Sequence, residues 1–269
     1  MISNKYSEGT DAVNPPAVRA PRAEGMAGLA KGLAILEAFG SQHASLTISQ
    51  AAELANISRA AARRCLLQLV ELGYLIAKGR QFQPTPRVMR LGAAYLSAAT
   101  LPELARPLLT ETRDRLRESI SLTLFDDGFV VFVARSEVAR VVSTGFRIGI
   151  RAPAWNTAAG RVLLGALTDE ELRTYLDGAD IVECTPHTVT DRARLAAIVR
   201  EARLQGFNIN DEEVELGMRS LAVPVHGADG RIVAAVSTST LVARTALSEV
   251  RERFLPVLQE LASRIERLL

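Results

Sequence analysis

Arg147, Arg151, Trp155, Asn156 and Thr157 fall within eleven residues of a 269-residue chain, and side chains of these types can hold a small organic acid. A guanidinium grips a carboxylate through two parallel hydrogen bonds and keeps its charge when desolvated. An indole offers a flat apolar wall. Thr157 opens a helical pattern that runs on from Ala158, where unpaired N–H groups and the positive end of the helix dipole favour an anion. The bland alternative is that these arginines are solvated surface charges.

A second constellation lies at Thr47–Gly73. Two short helical patterns are separated there by Ala55-Asn56-Ile57. The hydroxyls of Thr47 and Ser58 suit N-caps, and Gly73 suits a helix end that needs φ > 0. At 100° per residue, Ala62, Cys65, Leu66, Leu69 and Leu72 gather on one face of the second helix. Arg63, Ala60, Arg64 and Gln68 gather on the other, and Arg59 stands at the start. A basic face interleaved with small residues suits close approach to a nucleic-acid groove, so the stretch reads as a helix–turn–helix with the second helix as reader. Tyr74–Ile76 and Gln81–Gln83 then flank the turn Ala77-Lys78-Gly79-Arg80. That hairpin has the form of a wing that would carry Lys78 and Arg80 to phosphate or the minor groove.

Charge supports the division of labour. The net charge of +2 hides ten basic against four acidic side chains between Arg19 and Arg90, and 21 against 24 from Leu91 onward. The first part calls for an anionic partner and the second does not. The chain is long enough for two modest domains. No run reaches membrane-span length, no secretory signal is visible, and the two cysteines, Cys65 and Cys184, read as reduced thiols, so a cytoplasmic protein without membrane contact is expected.

The elements that must position these groups can be read in order. Residues 1–25 lack periodicity and read as a flexible tail, with Arg19 and Arg22 either idle or an arm on DNA. Residues 26–86 read as the winged domain, its first helix at Ala30–Phe39. Residues 87–100 read as a linker helix whose apolar side (Leu91, Tyr95, Leu96) suits a seam with a second subunit. Residues 101–269 read as the second domain. Its helices are expected at Leu101–Ser119, Ala158–Leu167, from Thr168 on, and at Asp191–Gln205 and Leu247–Leu269. Its strands are expected at Ser121–Phe125, Phe129–Ala134, Arg140–Ser143, Phe207–Asn210, Ser220–Val225 and Ile232–Ser239, and Gly145–Pro153 reads as a loop. The fold class expected is α+β, an antiparallel sheet with helices on its sides.

The order winged helix, linker helix, then the segment Asp211-Glu212-Glu213-Val214-Glu215-Leu216-Gly217-Met218-Arg219-Ser220-Leu221-Ala222-Val223-Pro224-Val225 resembles the IclR family of bacterial transcriptional regulators over residues 26–269. Leu29–Gly40, Ser58–Arg64 and Thr157–Leu164 look like the branch that senses protocatechuate, 4-hydroxybenzoate and related aromatic acids. Pro153-Ala154-Trp155-Asn156-Thr157 departs from that branch, which often reads Pro-Ala-Tyr-Cys-Thr. The resemblance implies a GAF-like effector domain, with Asp211, Ser220, Ser237 and Ser239 lining its pocket. It also implies double-stranded operator DNA and a small aromatic carboxylate (protocatechuate, 4-hydroxybenzoate or terephthalate class) as partners. A homodimer or dimer of dimers follows from it, as does a bacterial, nucleoid-associated setting, and the architecture leaves room for RNA polymerase as a partner.

Catalysis is rejected as the main reading, and no cofactor or metal is expected. Asp211-Glu212-Glu213 lacks a defined acid–base partner, and His187 and His226 stand in unlike surroundings. Cys184-Thr185-Pro186-His187 supplies two ligands, which do not complete a zinc site. The competing function is a small-molecule sensor or enzyme whose winged part serves protein contacts. Binding of operator DNA that weakens steeply with salt separates the two.

Overall fold

A computed structural model describes residues 26–40, 43–98, 100–138 and 146–269. The tail at 1–25 and the strand expected at Arg140–Ser143 lie outside the described residues. Two compact units part between Tyr95 and Leu96.

The first unit is built from α1 (Ala27–Glu37), α2 (Ile48–Leu54) and α3 (Arg59–Glu71), followed by a hairpin of β1 (Leu75–Lys78) and β2 (Gln81–Pro84). Thr47 and Gln50 form a reciprocal capping box on α2, and Ser58 accepts from the Ala61 N–H at 3.3 Å to cap α3. The sharp bend between the helices is made by Asn56, at φ 51°. At the far end of α3, Gly73 takes φ 78°, and the Tyr74 and Gly73 N–H groups bond back to Leu69 and Val70 carbonyls. That Schellman ending turns the chain into the hairpin. Ile35, Leu46, Ala62, Leu66, Leu75 and Phe82 form the core, and burying a Leu or Ile there contributes about 1.5–3 kcal/mol. Leu72, expected on the core face, is 48% exposed. It is the C-cap residue of α3, beyond the last turn that packs.

A helix α4 (Met89–Ala98) follows a 3-10 turn at Pro86–Val88. The second unit then carries α5 (Thr100–Leu116), β3 (Ile120–Asp126), β4 (Phe129–Ser136), β5 (Arg151–Pro153), a 3-10 turn at Ala154–Asn156, α6 (Ala158–Leu164), α7 (Asp169–Gly178) and α8 (Arg192–Gln205). It continues with β6 (Asn208–Asp211), β7 (Met218–His226), β8 (Ile232–Leu241), α9 (Leu247–Glu249), one π turn at Val250–Phe254 and α10 (Leu255–Glu266). Pro256, near the start of α10, cannot donate an N–H and crowds the preceding turn, which accounts for the local widening.

The sheet runs β5-β4-β3-β8-β7-β6 with every pairing antiparallel, so the expected α+β architecture is the one observed. Strand alternation sends Leu122, Leu221, Val223, Val225, Ala234 and Val236 to a core with α5 and α10. Val130, Phe132, Ala222 and Ala235 go to a second core under α6, α7 and α8. Gly160 allows the closest approach on that side. A Cβ there would stand 2.1 Å from the Ala154 carbonyl oxygen, so only glycine lets α6 lie against the 3-10 turn. Arg151, expected in a loop, is in β5, paired with Val131 across from it.

Candidate functional site

Arg59, Ala60, Arg63 and Arg64 are exposed on α3, while Ala61, Ala62, Leu66 and Leu69 of the same helix are buried. Lys78 and Arg80 flank Gly79, whose φ of 62° closes the hairpin bend. Among the described residues none of these five cations enters an ion pair. Thr47 and Ser58 both serve as caps, so their side-chain oxygens hold helix N–H groups.

The second unit has a cavity on the α6 side of its sheet, with an empty volume of about 480 Å³ counting the part open to solvent. Its polar lining comes from Ser121, Arg135, Thr157, Ser220, Ser237, Thr238 and Ser239. Its apolar lining comes from Phe132, Phe146, Ala158, Ala159, Val214 and Met218. Sheet register explains the polar rows. Arg135 on β4 stands opposite Ser121 on β3, which stands opposite Ser237 on β8. Ser239 stands opposite Ser220, and Ser220 opposite Asn210. The Arg135 guanidinium donates to the Ser121 hydroxyl at 2.6 Å and through Nε to Glu137 at 2.8 Å. The Ser220 and Ser239 hydroxyls lie 2.9 Å apart. Phe132 and Phe146 stack with centroids 4.9 Å apart. Thr157 closes one end, its hydroxyl accepting from the Gly160 N–H at 3.0 Å to cap α6.

Arg135 was missed because its orientation depends on a bulge. From Phe132, simple alternation would send Ala134 and Ser136 inward and Arg135 out. The register slips between Leu122 and Thr123, so Phe132 faces Thr123 while Arg135 faces Ser121. Ser121 and Thr123 share a face, so Phe132 and Arg135 do too.

Of the nine residues expected around an acid, the structure gathers Thr157, Ser220, Ser237 and Ser239 at the cavity. The other five do not line it. Arg151 shares a face with Val131, which packs on the α5 side, and its guanidinium lies 4.6 Å from the Phe129 centroid and 3.2 Å from Asp126. Arg147 is exposed ahead of the turn at Gly149. Trp155 packs within the α6–α8 core and is not among the residues that line the cavity. Asn156 donates to Cys184 Sγ at 3.2 Å. Asp211 is committed to Arg219 through two contacts of 2.7 and 2.8 Å, the register placing them opposite one another.

Elsewhere in the second unit, burial shapes the titration of two groups. The Tyr175 hydroxyl accepts from the Trp155 N–H and donates to the Gly128 carbonyl, and burial pushes it up to about 12. Burial likewise pushes the Cys184 thiol up, against the opposing hydrogen bond from Asn156. The Cys184–His187 stretch is a turn organised by the Thr188 hydroxyl, which accepts from the Cys184 and Thr185 N–H groups. Among the described residues no group of three His, Cys, Asp or Glu side chains could hold a metal, and no helix is long and apolar enough to cross a membrane.

Residues 28–76 match the IclR helix-turn-helix domain, and residues 93–267 match the C-terminal domain of IclR bacterial transcriptional regulators. The chain belongs to the IclR family. It is 41% identical over 234 residues to the Pca regulon regulatory protein of Pseudomonas putida, covering 87% of this chain and 80% of that protein. It is 36% identical over 248 residues to the p-hydroxybenzoate hydroxylase transcriptional activator of Acinetobacter baylyi, covering 90% and 92%. The inducer-binding domain of the PobR transcription factor from Acinetobacter, a double mutant in complex with 3-hydroxybenzoic acid, superposes with a TM-score of 0.61 at 30% identity. That match covers 64% of this chain and all of that one. These IclR-family relatives are regulators of transcription, not enzymes.

Proposed function

We propose that this IclR-family chain regulates an aromatic-acid catabolic operon, reading operator DNA through α3 and the hairpin and switching when a small aromatic carboxylate enters the cavity of the second unit. The observation that carries the reading is the cavity lining. One guanidinium, a row of hydroxyls and a pair of phenyl rings converge there beside a capped helix N-terminus. An acid stripped of water needs a charged partner, and the Arg135 guanidinium provides one. The rings suit an aromatic body, and Ser220 and Ser239 suit ring hydroxyls. The relatives named for the Pca regulon and p-hydroxybenzoate hydroxylase, and the 3-hydroxybenzoic acid complex, support the same class of effector.

On this reading the carboxylate grip belongs to Arg135 rather than to Arg147 or Arg151. The DNA contacts belong to Arg59, Arg63, Arg64, Lys78 and Arg80. Assembly is as a dimer or a dimer of dimers, since one winged domain covers little DNA and paired domains multiply their contacts. The exposed Leu91 and Tyr95 of α4 suit the seam.

Calorimetry with benzoate, 4-hydroxybenzoate, protocatechuate and terephthalate tests the effector. At least one acid should bind the wild type, and Arg135→Gln should weaken it tenfold or more while Arg147→Ala and Arg151→Ala leave it unchanged. Affinity retained in Arg135→Gln moves the grip elsewhere. Failure of all four acids to bind the wild type overturns the effector class.

A further inference from the structure

We infer that Arg161 and Glu213 are positioning residues for effector binding, a buried fork-to-fork contact that sets the cavity wall from behind. The inference rests on the cavity being the effector site. Arg161 lies on α6, one turn beyond the Thr157–Ala159 segment that lines the cavity, and is 1% exposed. Its two terminal nitrogens donate to the two Glu213 carboxylate oxygens at 2.6 Å each, and its Nε donates to the Trp155 carbonyl at 2.9 Å. One planar group therefore ties together α6, the 3-10 turn before it and the loop before β7.

Glu213 extends the tie. Its Oε2 accepts from the Val189 N–H at 3.1 Å, and its own carbonyl accepts from the Thr188 hydroxyl at 2.6 Å. The preceding Glu212, at φ 60°, has its carbonyl held by Thr185 and its carboxylate by the Gly217 N–H. The next residue, Val214, lines the cavity, and so do Met218 and Ser220 beyond the loop. None of these side chains is among the residues lining the cavity, yet the placement of Val214 in its wall follows from them.

Stability alone is a poor reason for such a pair. Two charges taken out of water can lose more in hydration than they regain in mutual attraction, and well-packed apolar replacements are often as stable or more so. What apolar residues do not reproduce is direction. Two parallel hydrogen bonds fix both the distance and the angle between helix and loop, whereas methylene contacts permit sliding.

The test uses the full chain with Arg161→Met and Glu213→Leu combined, which removes both charges and leaves neither stranded. The expected variant melts within a few degrees of wild type and binds operator DNA normally without effector. It should bind 4-hydroxybenzoate at least tenfold more weakly, and its Val189 and Gly217 amides should exchange hydrogen at least tenfold faster. Arg161→Lys, which keeps the charge and loses the fork, should show the same two changes and serves if the double variant does not fold. Wild-type exchange together with wild-type acid affinity in either variant overturns the positioning role. If the wild type binds no acid, the effector reading falls while the exchange rates still decide this one.

Discussion

Replacing Gly160 by Ala sets two physical effects of opposite sign against each other. In an ordinary helix interior the change gains about 1 kcal/mol, because alanine has less backbone freedom to lose. Here the new Cβ would lie 2.1 Å from the Ala154 carbonyl oxygen and 2.4 Å from Ala154 Cα. Both obstacles are backbone, so no side chain can rotate away, and α6 and the 3-10 turn must part by roughly 1 Å or more. Overpacking a core by less than this costs about 1–3 kcal/mol and occasionally more. The overlap wins, with a net loss of about 2–4 kcal/mol, or roughly 4–16 °C in Tm for a unit of this size. Separation would also open the Arg161–Trp155 hydrogen bond. Urea and thermal unfolding followed by circular dichroism measure the loss. Gly178→Ala is the control, since nothing lies within 4 Å of its added Cβ, and it should be neutral or stabilise by up to about 1 kcal/mol. A Gly160→Ala protein that melts at or above wild type would refute the reasoning.

Arg63→Ala should weaken operator binding by about 1–3 kcal/mol if a base contact is lost, or lower the salt slope by about one if only a phosphate contact is. Its Tm should not move, and unchanged affinity and slope in a gel shift would remove Arg63 from the interface. Tyr175 predicts an alkaline limit. Its folded pKa is raised from 10.0 to about 12, so the stability from the held proton is present below pH 10 and is lost as pH rises from 10 towards 12. At about 1.4 kcal/mol per pH unit, the advantage of wild type over Tyr175→Phe should shrink by up to about 3 kcal/mol across that window. Parallel urea curves for the two proteins at pH 7, 10 and 11 check this, and a constant difference counts against it. Sedimentation at micromolar concentration should show at least a dimer, and a lone 29.1 kDa species would rule out the proposed seam.

The linear sequence carries everything that depends on near neighbours. Capping at Thr47, Ser58, Thr157 and Thr168 is a matter of one hydroxyl and an N–H three residues on, so helix starts were legible. The turn glycines at 73 and 79 were legible for the same reason, and so was the periodicity that separates Ala62, Leu66 and Leu69 from Arg63 and Arg64. Ser237 and Ser239 entered through the family resemblance, and the sheet places them in the cavity lining while Val236 faces the core with α5 and α10. What stayed hidden depends on pairing between distant segments. Arg151 looked like a ligand because it stood in a glycine-punctuated stretch, but pairing with β4 turns it to the opposite face, onto Phe129 and Asp126. Asp211 looked free, but β6–β7 register places Arg219 against it. Arg135 lay one residue past the strand expected at Phe129–Ala134, and one extra residue in β4 turns it inward, a bulge decided by the partner strand. Arg161 and Glu213 are 52 residues apart, and their charges meet only because the sheet folds the loop before β7 against α6. Local chemistry therefore determined the elements and the family pattern, while the face each charged side chain occupies was decided by register, which only the assembled sheet contains.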